Sequence, residues 1–448
     1  MNRRHGTRQQ DDMTRRATVL PAPAGGFARV LGNLGHLVGG KAGAGIMSLV
    51  YLVVVARALG VREYGVLTLV NGYVLLVGGL IAFSGFHGVV RYGALALEAE
   101  NPRRLAAILR AMTVVELGCG IIAVLVAAVV APIVGPWLGW TPEAVRAALP
   151  YSLAVLGTVR ATPQGLLQLA RRFDLIGAHQ LVSPTVKLLG TLAVWAAGGG
   201  LAAYLAVWLA AAIAEGAAMW ALAGPAWTRL TGGERLAGPW RGAIRREGGL
   251  ARFAITANLD ITLRELAPNL APLTVGWLLG PASAGLFSLA QRATTLFQQP
   301  AVLLSQASYS VLADLAARRD HGALSRTVMR SAAFAGLAAA PILVLFALGA
   351  GRLLPLVGGR SFAGGAGLVL LMAGARAALL VATPFSAGLT ALGRPGRSVA
   401  IALVANLALY PLLPVLILSE GLDGAGWHAL VQAAILLTAT ILSFRRAI

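Results

Sequence analysis

Ten ionisable residues lie inside stretches of sequence that are otherwise apolar. Six are cations, Lys41, Arg160, Lys187, Arg264, Arg292 and Arg376, and four are acids, Glu116, Glu215, Asp260 and Glu265. A charge at the centre of a bilayer costs about 2.5–3.5 kcal/mol on insertion scales, so such residues pair with each other or face a water-filled cavity. The cations outnumber the acids by two. A lining of that sign suits an anion, to which Arg offers a planar fork of donors. The four acids are candidate counter-ions or ion-coupling sites. Asp260 and Arg264 stand four residues apart, share a helix face, and read first as a self-neutralising pair. Lys41, near a span end, has the alternative of snorkelling to the headgroups. Cys119 is the single cysteine, and the six histidines form no ligand cluster; His87 reads as a core histidine. The chain carries no phosphate loop, metal motif or catalytic triad. No cofactor is expected, and the missing motifs make an enzyme the least expected reading.

The elements that must hold these charges follow from composition. Of 448 residues, 57% are hydrophobic and 12% charged, with a mean hydropathy of +0.75. A soluble domain has about 25% charged residues, so a soluble globular fold and a disordered chain are both excluded. A bilayer-crossing helix needs about 20 mostly apolar residues. Twelve such runs are present, near 37–57, 66–90, 110–131, 147–169, 176–197, 201–222, 253–279, 284–311, 331–350, 364–389, 399–418 and 425–443. The expected class is therefore an all-α, polytopic membrane protein. The seventh run holds Pro268 and Pro272 beside Asp260, Arg264 and Glu265. Each proline removes a backbone donor, which predicts a broken or bent helix whose backbone lines a cavity. Pro300 and Pro341 read as plain kinks.

Lys and Arg resist translocation and so report orientation. With the N-terminus inside, 26 of the 37 basic residues fall in cytoplasmic segments, five in outer loops and six within spans. Both termini are expected in the cytoplasm. The net charge of +20 is then chiefly a topology signal and needs no nucleic acid; its inner part also suits anionic lipid headgroups. Residues 1–35 lack the apolar core of a signal peptide and read as a disordered basic tail.

The text repeats at an offset of 220. Leu59-Gly60-Val61-Arg62-Glu63-Tyr64-Gly65 aligns with Leu279-Gly280-Pro281-Ala282-Ser283-Ala284-Gly285, and Arg110 falls on Arg330. Gly165-Leu166-Leu167-Gln168-Leu169-Ala170-Arg171 matches Gly388-Leu389-Thr390-Ala391-Leu392-Gly393-Arg394 at an offset of 223. Each repeat covers six spans, an even number, so the halves share an orientation and relate by an axis along the membrane normal. The expected layout is a lobe over 36–222, a cytoplasmic linker over 223–252 and a second lobe over 253–448. Parallel repeats with a midplane site are the plan of secondary transporters.

Ala56-Arg57-Ala58-Leu59-Gly60-Val61-Arg62-Glu63-Tyr64-Gly65 resembles the first outer loop of polysaccharide flippases of the multidrug/oligosaccharidyl-lipid/polysaccharide exporter superfamily. So do Gly276-Trp277-Leu278-Leu279-Gly280-Pro281-Ala282-Ser283-Ala284-Gly285-Leu286-Phe287, Val90-Arg91-Tyr92-Gly93 and Ala391-Leu392-Gly393-Arg394-Pro395. The resemblance implies transfer of polyprenyl-pyrophosphate-linked oligosaccharide from the inner to the outer leaflet of a bacterial inner membrane, for O-antigen, capsule or exopolysaccharide. It implies lipid-linked oligosaccharide and membrane lipids as partners, with H⁺ or Na⁺ coupling and a polysaccharide polymerase or glycosyltransferase as further candidates. Many relatives carry an acid about nine positions before the Leu-Gly-Pro motif, where this chain has Ala271. Two other readings stay open. A multidrug/cation antiporter of the same superfamily calls for an acid-dominated site. A non-transporting partner of a polysaccharide assembly complex would dock through the basic linker.

Overall fold

The computed structural model describes residues 26–295, 312 and 314–448, except for the side chains of 26–42, 260, 264, 265, 267, 268, 350, 353 and 395. Every regular element among the described residues is helical. In the first half these are α1 (Gly26–Ile81), α2 (Phe86–Glu98), α3 (Pro102–Trp137), α4 (Pro142–Tyr151), α5 (Ala161–Leu169), α6 (Phe173–His179), α7 (Val182–Ala196) and α8 (Leu201–Thr231). After the short α9 (Ala243–Arg246) come α10 (Leu250–Thr294), α11 (His321–Gly358), α12 (Ala366–Ala391), α13 (Pro395–Leu407), α14 (Leu412–Glu420) and α15 (Leu422–Arg445). Starts follow capping chemistry. Asn101 and Thr141 each accept a hydrogen bond from a first-turn amide, Arg104 N at 2.9 Å and Ala144 N at 3.2 Å, just before Pro102 and Pro142.

Seven helices among the described residues are long and apolar enough to cross a membrane. An eighth span is the α13–α14 pair, bent by 44°. The other crossings come from elbows and broken pieces. Gly60 (φ 70°) interrupts α1 and Gly280 (φ 83°) interrupts α10. Both sit in the left-handed region that glycine enters without a Cβ penalty. Taking each elbow as a turn and joining pieces across their breaks gives twelve passes, six before the 232–249 connection and six after it. The eighth is described from Pro281 to Thr295.

Several expectations need correction. Helix already begins at Gly26, inside the segment read as a tail; residues 1–25 lie outside the described chain. The linker is shorter than expected, because α8 runs on to Thr231 and α10 begins at Leu250. The seventh span is helical straight through Pro268 and Pro272, up to the Gly280 elbow. The breaks fall instead at 82–85, in the second span, and at 159–160, in the fourth. They lie where other side chains satisfy the freed backbone groups. Glu116 accepts from Gly85 N (2.7 Å) and Thr162 N (3.2 Å), and Trp220 Nε1 donates to the Val159 carbonyl (2.9 Å). Pro300 lies outside the described residues, and Pro341 sits within α11.

The linker is clasped to the first half by its two acids. Arg104 grips Glu247 with both forks, Nε–Oε1 at 2.6 Å and Nη2–Oε2 at 2.7 Å. Arg110 is buried; it reaches Glu234 at 2.9 Å and donates through Nε to the Arg235 carbonyl at 2.9 Å. At the elbow end the halves meet again. Tyr64 packs edge-on against Phe362 with ring centroids 5.9 Å apart, and the Arg57 guanidinium donates to the Leu356 carbonyl.

Candidate functional site

Among the described residues, the largest group of spanning charges forms around the break in the fourth pass. A 3₁₀ turn (Ser152–Thr158) ends at Val159, and Arg160 stands immediately before α5. Close backbone approach sets its partner. A Cβ on Gly157 would lie 2.2 Å from the Ala212 carbonyl oxygen, and one on Gly216 would lie 3.0 Å from the Gly157 Cα. With no side chains between them, Arg160 Nη1 meets Glu215 Oε1 at 2.5 Å. His179, at the end of α6, contacts the Glu215 backbone carbonyl through Nε2 at 2.8 Å and ties a third segment to the pair.

Lys187 of α7 approaches this pair from an aromatic corner. Its Nζ lies 5.2 Å from the Trp208 ring centroid and 6.0 Å from that of Tyr51; the two rings pack edge-on, 5.5 Å apart. A cation within about 6 Å of an aromatic face is attracted by the ring quadrupole, and the two rings offer that attraction to Lys187. The charged neighbours that act on it are Arg292, Glu215 and Arg160. Arg292 comes from the other half, beyond the Gly280 elbow of α10. It is exposed, and its guanidinium forms no hydrogen bond or ion pair among the described residues. Among the described residues the cluster therefore holds three cations and one acid. Glu215 is the ion-pair partner of Arg160.

The other candidates go elsewhere. Arg376 of α12 lies in a separate cavity of the second half, of about 260 Å³. Glu116 is buried and meets no cation among the described residues; it caps the N-termini of α2 and α5, with Thr162 Oγ1 donating to it at 2.9 Å. A carboxylate at two helix N-termini complements both dipoles. The side chains of Lys41, Asp260, Arg264 and Glu265 lie outside the described residues. His87 is exposed beside the Phe86 ring rather than in the core, whereas His179 and His428 are the buried histidines. Tyr51, Trp208 and His179 escaped the sequence reading. Aromatic residues in apolar spans look like ordinary core, and only packing shows which of them face a cation.

Residues 54–365 match the family described as "Polysaccharide biosynthesis protein". The inner membrane protein YghQ of Escherichia coli (strain K12) is 24% identical over 285 residues, covering 64% of this chain and 80% of that protein. Among solved structures, the chain is similar to an inward-facing multidrug resistance MATE family transporter of the MOP superfamily. The TM-score is 0.71 at 14% identity, over 90% of this chain and 93% of that one. It is also similar to the lipid II flippase MurJ in an inward closed conformation, with TM-score 0.68 at 12% identity, over 91% and 86%. Those likenesses give the fold, and the family match covers more than half of the chain. With its elbows, two halves and mid-span cations in place, the chain belongs to the polysaccharide biosynthesis protein family and has the fold of the MOP superfamily.

Proposed function

We propose that this protein is an inner-membrane flippase that carries polyprenyl-pyrophosphate-linked oligosaccharide from the cytoplasmic to the outer leaflet by alternating access. The observation that carries the proposal is the Arg160–Glu215–Lys187–Arg292 cluster, three cations to one acid, with members from both halves. A pyrophosphate bridging Lys187 and Arg292 couples the two halves electrostatically. The polyprenyl tail stays in lipid throughout. The linker, with Arg235, Arg241, Arg245 and Arg246, lies on the cytoplasmic side by the positive-inside rule, as do both termini. The elbow end then faces outward.

The proposed cycle is a rocking of one six-pass lobe against the other about the junction of the Gly60 and Gly280 elbows. Moving a net negative head outward against an inside-negative potential gains about 2.3 kcal/mol per charge per 100 mV. The potential alone thus supplies direction, and coupling to H⁺ or Na⁺ adds to it. A multidrug/cation antiporter calls for acid to dominate the site, and the described cluster has the opposite sign. Mass spectrometry of lipids that copurify with the protein tests the reading. Polyprenyl-pyrophosphate glycolipids, depleted in a variant with Lys187→Met and Arg292→Gln, are the expected result. Phospholipid alone in both samples contradicts it.

A further inference from the structure

The second half contains a cavity that the pyrophosphate reading leaves unused. It measures about 260 Å³ and lies among α10, α12, α13–α14 and α15. Its one charged lining residue among those described is Arg376, which forms no ion pair or hydrogen bond among the described residues. An ionisable residue at membrane depth with no partner marks a functional site by default. The remaining polar lining is Gln291, Asn406, Gln432, Tyr410 and His428, beside apolar groups such as Ala271 and Met372.

Hydrogen bonding within this lining fixes what an occupant must offer. The Gln432 amide nitrogen donates to Asn406 Oδ1 at 2.9 Å and to the Ala405 carbonyl at 3.2 Å. His428 uses Nε2 on the Leu409 carbonyl at 3.0 Å, and Tyr410 is engaged with Thr274 Oγ1. Among the described residues, what stays open is the Arg376 fork, the Asn406 amide donors, both ends of the Gln291 amide, the Gln432 carbonyl oxygen and His428 Nδ1. A halide or a phosphate satisfies donors only. An occupant that uses the whole lining carries one compact anion for Arg376 together with hydroxyls that both donate and accept.

We propose that the Arg376 cavity is a subsite for a carboxylate-bearing sugar, a hexuronate, within the carried glycan. This rests on the glycolipid reading above and deepens it, because it names the class of sugar. The pyrophosphate and the acidic sugar would occupy separate places. The adjacent residues Arg292 and Gln291 serve one place each, on the same half-helix beyond Gly280. Planar guanidinium–carboxylate pairing supplies orientation as well as attraction, and the amides read the hydroxyls next to it.

The test is calorimetric titration of the full-length protein in nanodiscs with sodium glucuronate, glucose, sodium acetate and sodium bromide. Glucuronate is expected to bind about tenfold or more tightly than glucose or acetate, the size of one charge-assisted hydrogen bond, with bromide a poor competitor. Arg376→Gln should lose about tenfold or more of that affinity. Asn406→Asp, nearly isosteric, sets a carboxylate against the bound one and should abolish binding even if the Arg376 variant folds badly. Equal binding of glucose and glucuronate overturns the proposal. So does bromide competing as well as glucuronate, or acetate matching it, because the cavity is then a simple anion site. A parallel pyrophosphate titration reports the Arg160 cluster. Lost glucuronate binding with pyrophosphate binding intact removes this subsite alone, and the reverse pattern removes the glycolipid reading.

Discussion

Gly65 and Gly285 pack backbone against backbone, and the contact is reciprocal. A Cβ on Gly65 would lie 1.7 Å from the Pro281 carbonyl oxygen, and one on Gly285 would lie 2.5 Å from that of Val61 and 3.1 Å from Gly65 N. Val61 and Pro281, like Gly65 and Gly285, are related by the 220-residue offset of the sequence repeat. Each elbow therefore meets its own counterpart across a local two-fold. That is the geometry expected where two parallel repeats abut at their axis.

Alanine at either glycine should accordingly be costly. Overpacking costs about 1–3 kcal/mol when side chains can yield, and here the obstacle is backbone. Gly65→Ala and Gly285→Ala should each lower the melting temperature or the folded yield of the solubilised protein. Gly45→Ala on the same helix as Gly65, where nothing lies within 4 Å of the added atom, should not. Equal melting temperatures for all three would remove the junction from the account.

The Arg160–Glu215 pair should behave as a unit. Arg160→Gln leaves Glu215 uncompensated, and an unsatisfied buried or half-buried polar group costs about 1–3 kcal/mol. The double variant Arg160→Gln/Glu215→Gln should recover most of that stability, because two amides can hydrogen-bond to each other. Transport should stay low in both. A thermodynamic cycle with no coupling between the two positions would show that the contact stabilises nothing.

Lys187→Met separates charge from packing. Methionine keeps the length of the chain and contacts Trp208 and Tyr51 through sulfur and methylenes, so folded yield should hold. Glycolipid transfer should fall about tenfold or more, as for the loss of a charged hydrogen bond. Trp208→Ala should reduce both. Undiminished transfer by the methionine variant would place the anion elsewhere.

The clasp on the linker is a stability device and should be read as one. Arg104→Gln and Glu247→Gln should each speed tryptic cleavage between Arg235 and Arg246, since Glu247 holds that segment to α3 through Arg104. Arg110→Ala should do so more strongly, because Arg110 is buried and also holds the Arg235 carbonyl. Unchanged cleavage rates in all three would show that the connection is held by its apolar contacts instead.

These relationships were legible in the sequence to different degrees. The spans and the elbow glycines follow from hydropathy and the repeat, which are local in the chain. The broken passes do not. Pro268 and Pro272 announce a break that the helix absorbs, while the breaks at Ser84–Gly85 and Val159–Arg160 depend on Glu116 and Trp220, partners far away in sequence. Arg110 and Arg330 hold matching places in the repeat but differ in surroundings. Arg110 is buried under the linker, which reaches it through Glu234 and the Arg235 carbonyl, and Arg330 is exposed. Among the site charges, residue type alone marked Arg160, Lys187, Glu215 and Arg292 as candidates. Their convergence required packing, and so did the separation of Arg376 into its own cavity.

The most direct test is a transfer assay in proteoliposomes loaded with a polyprenyl-pyrophosphate-linked oligosaccharide labelled on its sugar. An impermeant glycosidase would read the outer leaflet with and without an imposed potential. The account predicts transfer that requires the protein, quickens when the substrate's destination side is positive, and falls about tenfold or more in the Lys187→Met/Arg292→Gln variant. Equal accessibility of the labelled sugar in empty and protein-containing vesicles would contradict it.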